Sequence, residues 1–352
     1  MKTVFHWGAF AAFVAVAALA CGGDDGPPTG PPVEPGAPVD SMDQIAFLSD
    51  RDGTVDIFLM NADGSEQRNL SNSPGDEGNF VWSPDGSKIA YETDRDGNFE
   101  IYVMNADGSG QTNLTRNPGL DVLPVWSPDG SKIAFTTDRD GGNLEVYVMN
   151  ADGSEPMNLT QSFNSSDHHA VWSPDGSKLA FQTDRDGKFE IYVINADRTG
   201  LTNLTQNPAD DAYAQWSPDG TKIAFWTNRD GNVEIYMMNA DGTNPTNLSN
   251  SVGDEDLPFL PSPDWTKIAF RSHRDLDDMY VMNADGTGQI RLTQDATAEL
   301  GLAWSPDGTK IAFHKAQSND FGIFVIGPDG SGLIPLADQG SSDFLPRWRP
   351  RP

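Results

Sequence analysis

Apolar residues in this chain come in short runs, and each run is closed by a cluster of Gly, Pro, Asp, Asn or Ser. One stretch shows the pattern. Asn79-Phe80-Val81-Trp82 stops at Ser83-Pro84-Asp85-Gly86, and Lys88-Ile89-Ala90-Tyr91-Glu92-Thr93 stops at Asp94-Arg95-Asp96-Gly97-Asn98. Phe99-Glu100-Ile101-Tyr102-Val103-Met104 then stops at Asn105-Ala106-Asp107-Gly108, and Gln111-Thr112-Asn113-Leu114-Thr115 completes the unit. Runs of this length, rich in β-branched and aromatic residues and bounded by turn formers, predict four strands. Gly supplies positive φ in the turns, Asp and Asn bond their own backbone, and Pro presets φ before Asp-Gly.

The unit recurs. Near-copies of Trp82-Ser-Pro-Asp-Gly open at Trp126, Trp172, Trp216 and Trp304; a degraded one, Pro-Ser-Pro-Asp-Trp, opens at Pro261, and a truncated one at Trp348. The steps from Trp82 to Trp348 are 44, 46, 44, 45, 43 and 44 residues. A fixed period of this size marks a repeat architecture, and four short antiparallel strands per period is a propeller blade. Second-strand runs start at Ile45, Ile89, Ile133, Leu179, Ile223, Ile268 and Ile311, and turns after the third strand start at Asn61, Asn105, Asn150, Asn195, Asn239, Asn283 and Gly327. Both count seven. The Trp-type runs also count seven but are offset: the first unit lacks one and the C-terminus has a spare. The pattern therefore predicts an all-β, seven-bladed propeller over residues 43–350. Its C-terminal run, 344–350, supplies the innermost strand of the first blade, leaving no open edge.

Trp-Ser-Pro-Asp-Gly, the Thr-Asp-Arg-Asp-Gly turn, Ile-Tyr-Val-Met-Asn-Ala-Asp-Gly and Asn-Leu-Thr together resemble the TolB-type, WD40-like β-propeller repeat. The resemblance covers about 43–350 and implies an envelope protein that acts by binding. TolB itself carries a separate N-terminal α/β domain and a six-bladed propeller, so a role in the Tol–Pal system is not carried over.

Composition narrows the partners. With 52 acids against 23 bases, the formal charge is −29. Nucleic acids and anionic lipid surfaces need a basic footprint and are excluded as expected partners. Lys2 followed by the apolar run Trp7 to Ala20 reads as a signal peptide over 1–20, too short to span a bilayer. The single cysteine, Cys21, follows at once, and Ala18-Leu19-Ala20-Cys21 resembles a bacterial lipobox, which implies cleavage and lipidation at Cys21. Residues 22–42, with six prolines and almost nothing apolar to bury, predict a tether. At ~3.1 Å per residue in extended form it reaches up to roughly 65 Å. The expectation is a monomer on the bacterial envelope, facing the periplasm or the outer surface, with the membrane engaged only through Cys21.

No nucleophile elbow, His-Glu-x-x-His, P-loop or Cys pair is present, so no catalytic residue, cofactor or metal is expected. Five residues before each Trp-type position stands an acid: Glu77, Asp121, Asp167, Asp211, Asp256, Glu299 and Asp343. Sevenfold repetition would set these carboxylates around the mouth of the channel, where they could attract a basic peptide or a cation. The alternative is scaffold: Arg51, Arg95, Arg139, Arg185, Arg229 and Arg274, in turns on the same face, could pair with the acids inside each blade. The seventh blade has no such Arg. Residues that break the repeat are better ligand candidates, namely Asp167-His168-His169 and Asp211-Ala212-Tyr213. Asp-x-Asp-Gly turns lack the further ligands of a calcium loop, and Asn-Leu-Thr/Ser reads as outer-strand packing rather than glycosylation. The function expected is a non-catalytic propeller that binds a protein or peptide partner through one face and the channel mouth. A glycan- or cation-binding module is the alternative. A loop-based lyase or hydrolase using Asp167, His168 and His169 is a more distant one.

Overall fold

The structure, a computed structural model, describes residues 43–351 except 163, 276, 295, 296, 298, 318, 319, 338 and 339, with the side chains of 256–258 also left out. The expected signal peptide, Cys21 and tether lie outside the described residues. From Gln44 to Trp348 the strands form seven four-stranded antiparallel sheets.

Blade II, formed by β4 (Glu77–Trp82), β5 (Lys88–Thr93), β6 (Glu100–Asn105) and β7 (Thr112–Asn113), has the strand order of its sequence. Blades III to VII repeat it, with innermost strands β8 (Asp121–Trp126), β12 (Asp167–Trp172), β16 (Asp211–Trp216), β20 (Glu255–Pro261) and β24 (Glu299–Trp304). Blade I differs. Its β1 (Gln44–Ser49), β2 (Asp56–Asn61) and β3 (Arg68–Asn69) take as innermost strand β28 (Asp343–Trp348), which pairs with β1 from Ile45↔Trp348 to Ser49↔Asp343. The C-terminal strand closes the ring.

Turn chemistry builds each blade locally. In the first hairpin of blade II, Ser83 Oγ donates to Asp85 Oδ1 (2.6 Å) and accepts from Lys88 N (2.9 Å), while Gly86 sits at φ 66°. Gly108, at φ 89°, also meets the preceding blade: a Cβ there would lie 2.6 Å from the carbonyl oxygen of Leu70. The core is not one mass but seven clusters, each shared by two adjacent blades. Second-strand aromatics Phe47, Tyr91, Phe135, Phe181, Phe225, Phe270 and Phe313 are fully buried in them. The blade Trp joins neighbours by hydrogen bond as well as by packing. Trp172 Nε1 donates to Val125 O (3.3 Å), Trp304 to Leu260 O (2.9 Å), Trp348 to Ala303 O (3.1 Å), and Trp82 to Arg347 O (3.3 Å) across the closure.

Candidate functional site

The repeated acids begin the innermost strands, and the structure places them under the face rather than open on it. Glu77, Asp121, Asp167, Asp211, Glu299 and Asp343 are each no more than 2% exposed. Arg95 bonds Glu77 (3.0 Å), Arg139 bonds Asp121 (2.8 Å), Arg185 bonds Asp167 (3.0 Å), Arg229 bonds Asp211 (2.9 Å) and Arg51 bonds Asp343 (2.7 Å). Each of these guanidiniums also lies over two rings of its blade, as Arg139 does over Phe135 (5.1 Å) and Tyr147 (4.9 Å). The acid, the Arg and the ring pair form one buried unit per blade.

Blade VI corrects the sequence register. The acid bonded by Arg274 is Glu255 (2.6 Å) rather than Asp256, whose backbone register partner on the second strand is Arg271. β20 carries one residue more between its acid and the Trp-type position than its counterparts, and the bulge absorbs it. In blade VII, which lacks the Arg, Glu299 stands opposite Lys315 and accepts from Thr293 Oγ1 (3.1 Å). Burial pushes Glu77 up to about 7 against the hydrogen bonds of Ser71, Ser73 and Arg95. Burial also raises Asp167, Glu255 and Asp343.

A second set of buried acids opens the third strands: Asp56, Glu100, Glu145, Glu190, Glu234 and Asp278. They hold the loop that leads to the next blade. Asp56 accepts from Ser71 Oγ (2.7 Å) and Ser73 N (2.9 Å), and Glu145 accepts from Thr160 Oγ1 (2.8 Å) and Ser162 N (2.9 Å). These hydroxyls are the Ser/Thr of Asn-Leu-Thr/Ser. The Asn of that motif turns inward on the Asp-x-Asp-Gly turn, as Asn113 Nδ2 does on Asp96 Oδ2 (3.0 Å), which also receives the Tyr102 hydroxyl.

What differs from blade to blade sits at the channel. Each innermost strand is interrupted by a bulge, and in five of the seven blades the chain turns left-handed three residues before the Trp position: Leu123 (φ 55°), His169 (53°), Tyr213 (57°), Gly301 (63°) and Leu345 (52°). A bulge frees its N–H from the ladder. In three blades that N–H donates to a second-strand side chain of the preceding blade: Leu123 N to Glu92 Oε1 (2.6 Å), Tyr213 N to Gln182 Oε1 (3.1 Å), and Leu345 N to His314 Nδ1 (3.3 Å). The column to which these three acceptors belong runs Leu48, Glu92, Thr136, Gln182, Trp226, Arg271, His314. Sequence reading passed over it, although a position that differs in all seven copies of an otherwise repeated strand was the available signal.

His168 and His169 fall on the bulge of β12. Their Nδ1 atoms are 2.7 Å apart, His168 packs edge-on against Phe189 (5.4 Å), and His169 against Tyr213 of the next blade (4.6 Å). Burial pushes His168 down to about 3 and His169 to about 4, so both are neutral at pH 7. Both Asp167 oxygens are taken by Arg185 Nη2 (3.1 and 3.0 Å). The structure therefore joins His168, His169 and Tyr213 into one aromatic cluster and turns Asp167 away into its Arg. Among the described residues no three His, Cys, Asp or Glu side chains converge as metal ligands, and no helix is long and apolar enough to cross a membrane.

Comparison with known proteins follows the same lines. The TolB beta propeller domain matches residues 35–170 and 157–258. The chain belongs to the TolB β-propeller family. No curated protein sequence matches it significantly. Among solved structures it is similar to TolB from Acinetobacter baumannii (TM-score 0.57, 20% identity, 88% of this chain and 67% of that one). It is also similar to a puromycin-hydrolyzing peptidase from Mycobacterium tuberculosis (0.68, 13%, 81% and 50%) and an oligogalacturonate lyase from Vibrio parahaemolyticus (0.63, 15%, 84% and 85%). At these identities the likeness is one of fold, and the family propeller here has seven blades closed by β28.

Proposed function

We propose that this chain is a non-catalytic, lipid-anchored propeller of the bacterial envelope that binds a protein or peptide partner at one face and the mouth of its channel. The observation that carries the reading is where the sevenfold symmetry breaks. Turns, acid–Arg units and blade Trp residues repeat around the ring, whereas the second-strand column beside the bulges differs in all seven blades and the bulge column varies, with only Leu123 and Leu345 alike. Ligand sites break symmetry; scaffolds keep it. Family membership supports an envelope setting, and the excess of acids supports a partner other than nucleic acid. A lyase or hydrolase reading would need an acid–base pair. It would have to use two imidazoles held neutral by burial and an Asp already bound by Arg185.

A pull-down from solubilised envelope tests the proposal. The bait is the chain from Cys21 onward, run beside His169→Gly/Tyr213→Gly. Gly at these bulge positions keeps the left-handed backbone, as Gly301 does natively. Capture by the native chain and loss with the folded variant is the expected result. Equal capture by both moves the site away from the channel mouth. Turnover of a peptide or oligogalacturonate substrate, lost in the variant, would replace the binding reading with the enzymatic one.

A further inference from the structure

Arg347 stands apart from the other arginines of the ring. It is the penultimate residue of β28, next to the Trp position, where the other blades carry Val81, Val125, Val171, Gln215, Leu260 and Ala303. A guanidinium here projects from an innermost strand, and its one hydrogen bond is a long contact from Nη1 to Leu302 O (3.5 Å) on the neighbouring innermost strand β24. It is half-buried on the innermost strand. The six arginines of the repeated units each hold a carboxylate at 2.6–3.0 Å. Arg347 makes no such pair among the described residues, and burial alone pushes it down to about 10 with no carboxylate to offset the loss of water. Its charge in turn helps to keep the buried His314 neutral.

A half-buried cation without a counter-ion gives up part of its hydration with nothing to offset it, and the Val, Leu or Ala of five other blades fills the same place without that cost. A ligand that brings a carboxylate removes the penalty, and the planar fork of a guanidinium matches a carboxylate with two parallel bonds. We infer that Arg347 is the receptor for a carboxylate carried by the peptide partner that enters the channel. This inference rests on the peptide-binding reading above. A peptide fits better than a sugar because Leu345, the bulge residue of the same strand, is aliphatic and half-buried, and because Tyr213 is engaged edge-on by His169 rather than presented as a stacking face. The overall charge of −29 does not forbid an anionic ligand. Fields from exposed acids fade beyond a screening length of about 8 Å at physiological salt, so the nearest charge decides.

Affinity selection with randomised hexapeptides tests the inference on the native chain from Cys21 onward and on Arg347→Gln, a change that copies Gln215 of blade V. Three pools are used: free C-terminus without Asp or Glu, amidated with one Glu, and amidated without Asp or Glu. A charge-assisted pair is expected to enrich one carboxylate pool over the carboxylate-free pool about tenfold, and Arg347→Gln to abolish that preference while folding normally. Which carboxylate pool is enriched tells a terminal from a side-chain carboxylate. Equal retention of all pools by the native chain, or a preference that survives in Arg347→Gln, overturns the carboxylate receptor and leaves peptide binding standing. Retention of no pool overturns both. Retention of digalacturonate in place of peptides, lost in Arg347→Gln, overturns the peptide as occupant.

Discussion

Glu92 and Gln182 hold the same place in two blades and accept the same kind of bulge N–H, one as an acid and one as an amide. Burial pushes Glu92 up to about 7, from 4.5 for an exposed glutamate. A folded value above the unfolded one means that its contribution is full below pH 4.5 and is lost as pH rises through 7. Glu92→Gln keeps the acceptor and removes the charge. It is expected to raise stability at pH 8 by on the order of 2–3 kcal/mol and to leave it unchanged at pH 4, read by urea unfolding at both pH values. His168, His169 and His314 act in the other direction. Their folded values are depressed, so the unfolded chain takes up more protons and stability is lost as pH falls below 6.5. The acid–Arg units set a second expectation. Arg139→Ala leaves Asp121 buried without its cation and is expected to cost about 3–5 kcal/mol, whereas Arg139→Leu with Asp121→Leu is expected to cost much less. Chemical denaturation of the three proteins checks the order. At this scale the sequence was half legible. Acids and arginines recurring at fixed offsets named the pairs, yet Asp256 was chosen over Glu255 because a one-residue bulge is invisible to counting. The channel acceptors were missed because their direction depends on the neighbouring blade.

Blade VI shows how an element repairs itself. Pro261 replaces the Trp that packs between blades elsewhere, and Trp265 replaces the turn Gly at the same φ, 55° against 66–70° for Gly86, Gly130, Gly176, Gly220 and Gly308. The displaced indole packs against the cluster of Phe259, Ile268 and Phe270 at the junction of blades V and VI. Trp226 supplies a hydrogen bond across the same junction, from Nε1 to Glu255 O (3.2 Å). The loss of Trp at 261 and its gain at 265 are one exchange. Trp265→Gly is therefore expected to destabilise by about 3 kcal/mol through the lost packing. Adding Pro261→Trp is expected to recover at least half, a coupling that a double-mutant cycle in thermal unfolding measures directly. Additive effects would mean that the two residues act independently.

For the whole molecule the decisive feature is closure. β28 gives blade I its innermost strand, Asp343 for Arg51, and the carbonyl of Arg347 for the Trp82 indole. A chain ending at Ser342 leaves β1 as an open edge, and unpaired edges recruit other chains. Size-exclusion chromatography is expected to show that truncated chain as aggregate and the full chain as a single species, and loss of a cooperative thermal transition should accompany it. A truncated chain that stays compact and cooperative would show that the other blade junctions suffice.

The sequence by itself determined the number of blades, their four strands and the exchange of the last strand into the first. Turn chemistry is local, and a 44-residue period written seven times leaves little else for the chain to do. Only the tertiary structure decided what the acids are for and where the symmetry breaks. A carboxylate five residues before a Trp has the same letters whether it faces water or an Arg. Its burial follows from the Arg and the ring pair of its own blade that close over it, and Arg347 meets the carbonyl of Leu302 only when the ring is closed.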